Sequence, residues 1–278
     1  MFNLLIMVVL AQPAPAGFTA MSFNIRYDNP DDGASAWSHR VEWVASEMRQ
    51  ADLIGVQEAL SHQVAQLAAQ LPDYDWVGVG RDDGKDGGEF VPIFFKTAIF
   101  ELLGTTTFWL SETPEQPGSR GWDAALPRVA TSVNLKVRGT DLDIHVVNTH
   151  FDHRGIEARL QSAKLLAERT QELSGPVLLL GDLNTTPDSD AFAALTGEGL
   201  LKDAHVVSKM PVIGPVGTFS GFLENDQLNE APRIDYVLVS PEWDVSSYEA
   251  VVSIQNGRYV SDHLPVKAQI QFTHQPYD

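Results

Sequence analysis

Val177-Leu178-Leu179-Leu180-Gly181-Asp182-Leu183-Asn184 is an apolar run that stops abruptly on a carboxylate and an amide. Short apolar runs of this kind, bounded by turn residues, read as buried strands. Strand ends are rigid, so they hold side chains to the tolerance a transition state demands. Val146-Val147-Asn148-Thr149-His150 and Ile54-Gly55-Val56-Gln57-Glu58 repeat the pattern, each closing on ligand-type residues. If Asp182-Leu183-Asn184 continues extended, its alternation points the carboxylate and the amide to one side. A carboxylate there can bind a cation or orient water, and a neutral amide can donate to a phosphoryl oxygen without adding repulsion.

Outward from these runs, β-rich stretches alternate with helical patterns and turn clusters. Strands are predicted at Phe18 to Ile25, Leu53 to Gln57, Trp76 to Gly80, Val91 to Lys96, Phe100 to Thr107, Ala130 to Val137, Leu142 to Thr149, Val177 to Gly181, Tyr236 to Ser240 and Val266 to Phe272. Helical spacing covers Ser38 to Gln50, Ser61 to Gln70, Gly155 to Leu173 and Ser189 to Leu195. In the third of these, Ile156, Leu160, Ala163, Leu166 and Ala167 recur at helical intervals and predict a face that covers a sheet. So many strands exceed one small sheet, which predicts a four-layer α/β sandwich: two packed mixed β-sheets flanked by helices. Long loops at Asp28 to Ala36, Asp82 to Glu89, Ser111 to Pro127 and Val212 to Asn229 are candidates for function. No repeat or linker splits the chain, so one catalytic domain is expected over residues 17–278.

Composition narrows the chemistry. Lys and Arg total 19 against 37 Asp and Glu, a formal charge of −18. Such a surface repels long nucleic acids, whose binding rests on basic contacts, and suits small phosphorylated substrates better. With no cysteine in the 278 residues, thiolate metal sites and cysteine nucleophiles are excluded, so any metal must bind oxygen or imidazole. Residues 1–16 hold an apolar run too short to cross a bilayer, followed by small residues in A-x-A-like spacing. They read as a signal peptide without a basic n-region, which predicts a periplasmic or secreted protein with no integral membrane segment; a buried first strand in a cytoplasmic protein is the rival reading. The protein is expected to act as a monomer.

In chain order the polar strand ends form a series: Ser22-Phe23-Asn24-Ile25-Arg26, Gln57-Glu58, Thr149-His150, Gly181-Asp182-Leu183-Asn184, Arg233-Ile234-Asp235-Tyr236 and Ser261-Asp262-His263-Leu264-Pro265. Singly these are weak signals, since Asp-x-Asn is common in turns and strand-end histidines are often structural. Together the series resembles the endonuclease/exonuclease/phosphatase superfamily, which includes deoxyribonuclease I, neutral sphingomyelinases and nocturnin-like deadenylases. The resemblance runs from Phe18 to Phe272. Gly80-Arg81-Asp82-Asp83-Gly84 and Gly121-Trp122-Asp123-Ala124-Ala125-Leu126-Pro127-Arg128 resemble a bacterial, often exported branch.

The resemblance implies a divalent-metal-dependent phosphoric ester hydrolase with in-line attack of an activated water. Glu58 corresponds to the direct metal ligand, with Asn24 beside it and Asp262 as a second acidic position facing the metal. His150 matches the histidine that contacts the phosphoryl group on the leaving side. Asp182 matches the residue that deprotonates the water, and Asn184 the donor to a non-bridging oxygen. His263, held by Asp235, would stabilise phosphoryl charge or assist proton transfer. Glu89 resembles the carboxylate that orients His150. Arg81, Arg120, Trp122 and Arg128 stand in or beside the long loops, where they grip substrate or are simply solvated or packed. Oxygen ligation favours Mg²⁺ or Mn²⁺ over zinc. Two other readings stay open: a 3′-to-5′ exoribonuclease of the nocturnin type, and an inactive binding protein that keeps the fold.

Overall fold

Phe18 to Asn24 is buried at all positions but one, as a strand covered on both faces must be. A computed structural model describes residues 17–222 and 227–273; the signal-like stretch 1–16 lies outside the described residues. The strands are β1 (Phe18–Asn24), β2 (Leu53–Gln57), β3 (Tyr74–Val77), β4 (Ile93–Lys96), β5 (Phe100–Trp109), β6 (Val129–Val137), β7 (Asp143–His150), β8 (Val177–Asp182), β9 (Lys202–Asp203), β10 (Asp235–Val239), β11 (Trp243–Ala250), β12 (Ile254–Gln255), β13 (Arg258–Tyr259) and β14 (Val266–Phe272). The helices are α1 (Trp37–Met48), α2 (Ser61–Gln70), α3 (Ile156–Gln171), α4 (Asp190–Thr196) and α5 (Ala204–Val207).

Two six-stranded mixed sheets form, in the orders β11-β14-β1-β2-β4-β3 and β5-β6-β7-β8-β10-β9. Each has one parallel pair at its heart, β1 with β2 and β7 with β8. Parallel neighbours need a crossover, which α1 and α3 supply. Apolar residues facing inward from both sheets, such as Leu53, Val146, Leu178 and Val266, make the central core. α1 and α2 cover the outer face of the first sheet through Trp37, Val44, Met48, Val64 and Leu67. α3 and α4 cover the second through Ala163, Leu166, Phe192 and Leu195. The layers are those expected from the sequence.

Differences in detail have local causes. β11 escaped the sequence reading because a bulge between Val245 and Ser247 breaks its two-residue alternation. Ile156, expected on the covered face of α3, is 74% exposed at the first turn, and the buried stripe begins at Ala158. The third strand starts at Tyr74 and stops at Val77, before Gly78, whose φ of 155° leaves the strand region.

One polar contact ties the sheets together. Asn148 in β7 is fully buried, yet its Nδ2 donates to the backbone oxygens of Val56 at 2.7 Å and Pro92 at 2.9 Å. Its Oδ1 accepts from Gln57 Nε2 at 2.7 Å. Gly55 lets the sheets approach here, since a Cβ added to it would stand 2.6 Å from Asn148 Oδ1 and 2.8 Å from Leu180 Cβ. Replacing Asn148 by Leu strands buried partners on the opposite sheet, and should lower the free energy of unfolding by about 2–4 kcal/mol. Urea titration checks this; a loss below about 1 kcal/mol would remove the bridge from the account.

Candidate active site

Register, more than sequence proximity, assembles the site. Asn24 pairs with Gln57 at the ends of β1 and β2, His150 with Asp182 at the ends of β7 and β8, and Asp182 with Asp235 at the start of antiparallel β10. Asp262 and His263 lie a few residues before β14, which runs antiparallel to β1 and so begins at the same rim. The strand ends of both sheets therefore open on one cavity of about 790 Å³, lined in part by Glu58, Glu89, Arg128, His150, Asp182, Asn184, Asp262 and His263.

At this rim the backbone leaves the strands through left-handed residues that are not glycine: Arg26 at φ 58°, Glu58 at φ 63° and Asn184 at φ 47°. Such residues are uncommon and gather at functional sites. At Asn184 the backbone turns instead of continuing extended, yet the carboxylate of Asp182 and the amide of Asn184 both reach the cavity as expected. β8 ends at Asp182, whose Oδ1 accepts from the Asn184 N–H at 2.9 Å. The turn carries Asn184 Nδ2 to the carbonyl of Phe151 and to His150 Nε2, each at 3.0 Å. Because the Phe151 carbonyl can only accept, it orients the amide, and Nδ2 donates to His150 Nε2. The His150 proton then sits on Nδ1, which has no hydrogen-bond partner and lies 3.8 Å from Glu89 Oε2.

Glu89 is thus beside His150, as expected, but spends its hydrogen bonds elsewhere. Arg81 donates to both its oxygens, at 2.7 and 2.9 Å. Arg81 is buried in this pair and does not line the cavity, which corrects its expected place as a substrate grip. Trp122 is also away from the cavity lining; its backbone N–H donates to Glu112 at 3.2 Å. Arg128 does line the cavity.

Asn24 braces both sheets. Its Nδ2 donates to Glu58 Oε1 and to Asp182 Oδ2, both at 3.0 Å, and its Oδ1 accepts from the Arg26 N–H at 3.0 Å. It therefore presents hydrogens, not oxygen, to the carboxylates. Glu58, His150 and Asp182 each bring one ligand atom to within 4.8 Å of the others, and Asp182, Asp235 and His263 do likewise. Asp262 lines the same cavity, with Oδ2 3.7 Å from Arg26 Nη1.

Burial sets the protonation states. Desolvation, then the charge of Asp235, pushes the Asp182 carboxyl up to about 7. Burial, with Glu58 adding to it, also holds Asp262 above the usual carboxylate range, although His263 and Arg26 act the other way. For His150, burial and the charges of Arg128 and Arg81 keep the ring neutral, well below its ordinary value. For His263 burial opposes the charge, yet Asp235 and Asp182 outweigh it and raise the ring well above 6.5. His263 Nδ1 donates to Asp235 Oδ2 at 2.9 Å, leaving Nε2 toward Asp182 at 3.7 Å. Carboxylates crowded this closely beside His150 and His263 fit a hard divalent cation bound through oxygen.

The profile of the Endonuclease/Exonuclease/phosphatase family matches residues 21–263. The chain belongs to this family. A crystal structure of an endonuclease/exonuclease/phosphatase family protein from Bacteroides thetaiotaomicron superposes at a TM-score of 0.89 with 36% identity, covering 95% of this chain and 100% of the other. A family protein from Bacteroides vulgatus gives 0.87 at 39% identity, covering 92% and 99% of the two chains. A mannosyl-6-phosphatase from Bacteroides thetaiotaomicron gives 0.85 at 36% identity, covering 91% and 99%. Comparison with curated proteins gives no match. Among the described residues no helix is long and apolar enough to cross a membrane.

Sequence reasoning passed over the cavity residues Leu126, His153, Arg159, Thr185, Thr186 and Phe219. Only His153 carried a signal, lying three positions after His150 where the chain turns toward α3.

His263 makes a pH test available in protein stripped of divalent cations. Its raised folded pKa adds stability that is complete below 6.5 and is lost as pH climbs through the folded value. His150, shifted down, is neutral in both folded and unfolded chains above about pH 8, and the Asp182 penalty, which builds as pH rises through about 7, is nearly complete there. Urea midpoints in chelator should therefore keep falling as pH rises above about 8, and the slope there should be smaller in His263→Asn. A midpoint that holds steady or rises in the parent protein would refute the assignment.

Proposed function

We propose that this family member is a divalent-cation-dependent phosphoesterase that hydrolyses a small phosphorylated molecule, with a phosphorylated sugar as the first substrate class. The observation that carries the reading is the meeting of Glu58, His150 and Asp182 with the Asp235–His263 pair in one cavity. Support for the sugar comes from the 36%-identical mannosyl-6-phosphatase, and for small substrates generally from the net charge of −18, which disfavours long nucleic acids.

Phosphate ester hydrolysis needs charge neutralised on the phosphoryl oxygens, a water held in line, and help for the departing oxygen. When bound, Mg²⁺ or Mn²⁺ supplies the first of these, with Glu58 as its main holder and Asn24, Asp182 and Asp262 bordering it. Asp182, with a pKa near neutrality, is suited to take a proton from the attacking water. Charged His263, oriented by Asp235, offers Nε2–H to developing phosphoryl charge. Neutral His150 and the Asn184 amide stand together at 3.0 Å, so an ester oxygen gains an Asn184 N–H only by displacing His150 Nε2.

Hydrolysis of mannose 6-phosphate, glucose 6-phosphate, sphingomyelin, single-stranded RNA and plasmid DNA with and without Mg²⁺ or Mn²⁺ tests the reading. Turnover of sugar phosphates, abolished by chelator, is the expected result. Steady release of mononucleotides from RNA with no turnover of small esters would replace it with the exoribonuclease reading, and silence on every substrate with the binding-protein reading. Asp182→Asn should lower kcat by roughly 10³-fold while leaving the far-ultraviolet circular dichroism intact. Glu58→Gln should raise the Mg²⁺ concentration for half-maximal rate by about tenfold or more; parent-like dependence would remove Glu58 as the metal holder.

A further inference from the structure

Among the residues lining the cavity, Arg128, His153 and Arg159 form a basic group that the mechanism above does not use. Arg128 stands just before β6 and is 4% exposed. Its Nε lies 3.4 Å from Asp152 Oδ2 and its Nη2 3.1 Å from His153 Nδ1, while Nη1 is buried without a partner. Asp152 is already engaged: Oδ1 accepts from the N–H groups of Arg154 and Gly155 at 2.9 and 2.8 Å, and Oδ2 from that of Leu126 at 3.3 Å. Arg128 thus receives one long carboxylate contact. The neighbouring buried guanidinium, Arg81, gives both Nη atoms to Glu89 and, although its Nε is also unpartnered, does not line the cavity.

A buried guanidinium that holds an unpartnered N–H and opens on a cavity lacks an acceptor. Its planar fork suits the oxygens of phosphate. Burial and the charge of Arg81 also depress the Arg128 pKa, as expected for a cation short of countercharge. Arg159 holds the same turn by donating from Nη1 to the Asp152 backbone oxygen at 2.9 Å, so the seat is braced from α3.

We propose that Arg128, held by Asp152 and His153, binds a bare terminal oxygen of a phosphomonoester and thereby selects monoesters over diesters. This rests on the phosphoesterase reading and deepens it. A monoester presents non-bridging oxygens that carry two negative charges, whereas a diester carries one charge and replaces one of those oxygens with a substituted one. Behind Arg128 the wall is closed by Glu89, Val129 and His150, so a phosphate can meet the guanidinium only from the main cavity, and the discrimination rests on charge and on the number of bare oxygens.

The test compares p-nitrophenyl phosphate with bis(p-nitrophenyl) phosphate, which share a leaving group, on the Mg²⁺-loaded protein. Arg128→Gln should lower kcat/KM for the monoester by about 100-fold, roughly ten times more than for the diester, the loss expected of one charge-assisted contact. Arg128→Lys, which keeps the charge and loses the fork, should recover part of it. Inorganic phosphate titrated calorimetrically should bind Arg128→Gln about tenfold more weakly than the parent. An equal fall for both esters, or unaltered phosphate affinity, overturns the proposal. Should Arg128→Gln not fold, His153→Ala carries the test, because His153 is exposed; a monoester preference unchanged in that variant and in Arg128→Lys also overturns it. If the parent protein hydrolyses neither ester, the phosphate titration decides the anion seat by itself, and the phosphoesterase reading stands or falls on the sugar phosphates.

Discussion

The Asn148 amide is the contact on which the remaining geometry depends. Buried between two apolar sheets, it is tolerable only because partners on the opposite sheet satisfy both its ends. Those partners, Val56 and Gln57, immediately precede Glu58, and Asn148 itself stands two residues before His150. A slip of either sheet would break the hydrogen bonds and, in the same movement, separate the carboxylate from the imidazole. Gly55 belongs to the same constraint, since any side chain there would hold the sheets apart. Asn24 repeats the device at the rim by donating to Glu58 on one sheet and Asp182 on the other.

Bringing the strand ends together creates an electrostatic conflict that packing alone does not relieve. Asp182 is nearly inaccessible and faces Asp235 across adjacent strands. Burial, with Asp235 adding to it, raises the carboxyl of Asp182, and Asp235 and Asp182 together raise the imidazole of His263, which leaves this end of the cavity short of positive charge. A cation and a phosphate ester together would meet that shortage and the opposite one at Arg128. The cavity is therefore polarised for a ligand that carries its own negative charge and recruits a positive ion.

The sandwich could be read from the chain because buried strands and amphipathic helices carry their periodicity locally. Leu178 to Leu180 and the Ala163–Leu166 stripe are examples in which burial follows pattern. Elements that depend on irregular backbone could not be read in this way. The bulge hid β11, and the left-handed turn at Asn184 replaced the extended backbone expected there while leaving the amide on the same cavity as Asp182. For Arg81 and Trp122, loop position suggested a role at the cavity, but tertiary pairing took Arg81 to Glu89, and Trp122 lies off the cavity lining.

By itself the sequence determined the layered fold, the family, and which strand ends carry carboxylate, imidazole and amide groups, because each of these is written in contiguous residues and in their order. Only the tertiary structure decided which of those groups touch, which of them lose or keep a proton, and which arginine lines the cavity with an N–H left unpaired. Strand register, burial and the approach of two sheets are relations between distant segments. No local stretch of the chain contains them.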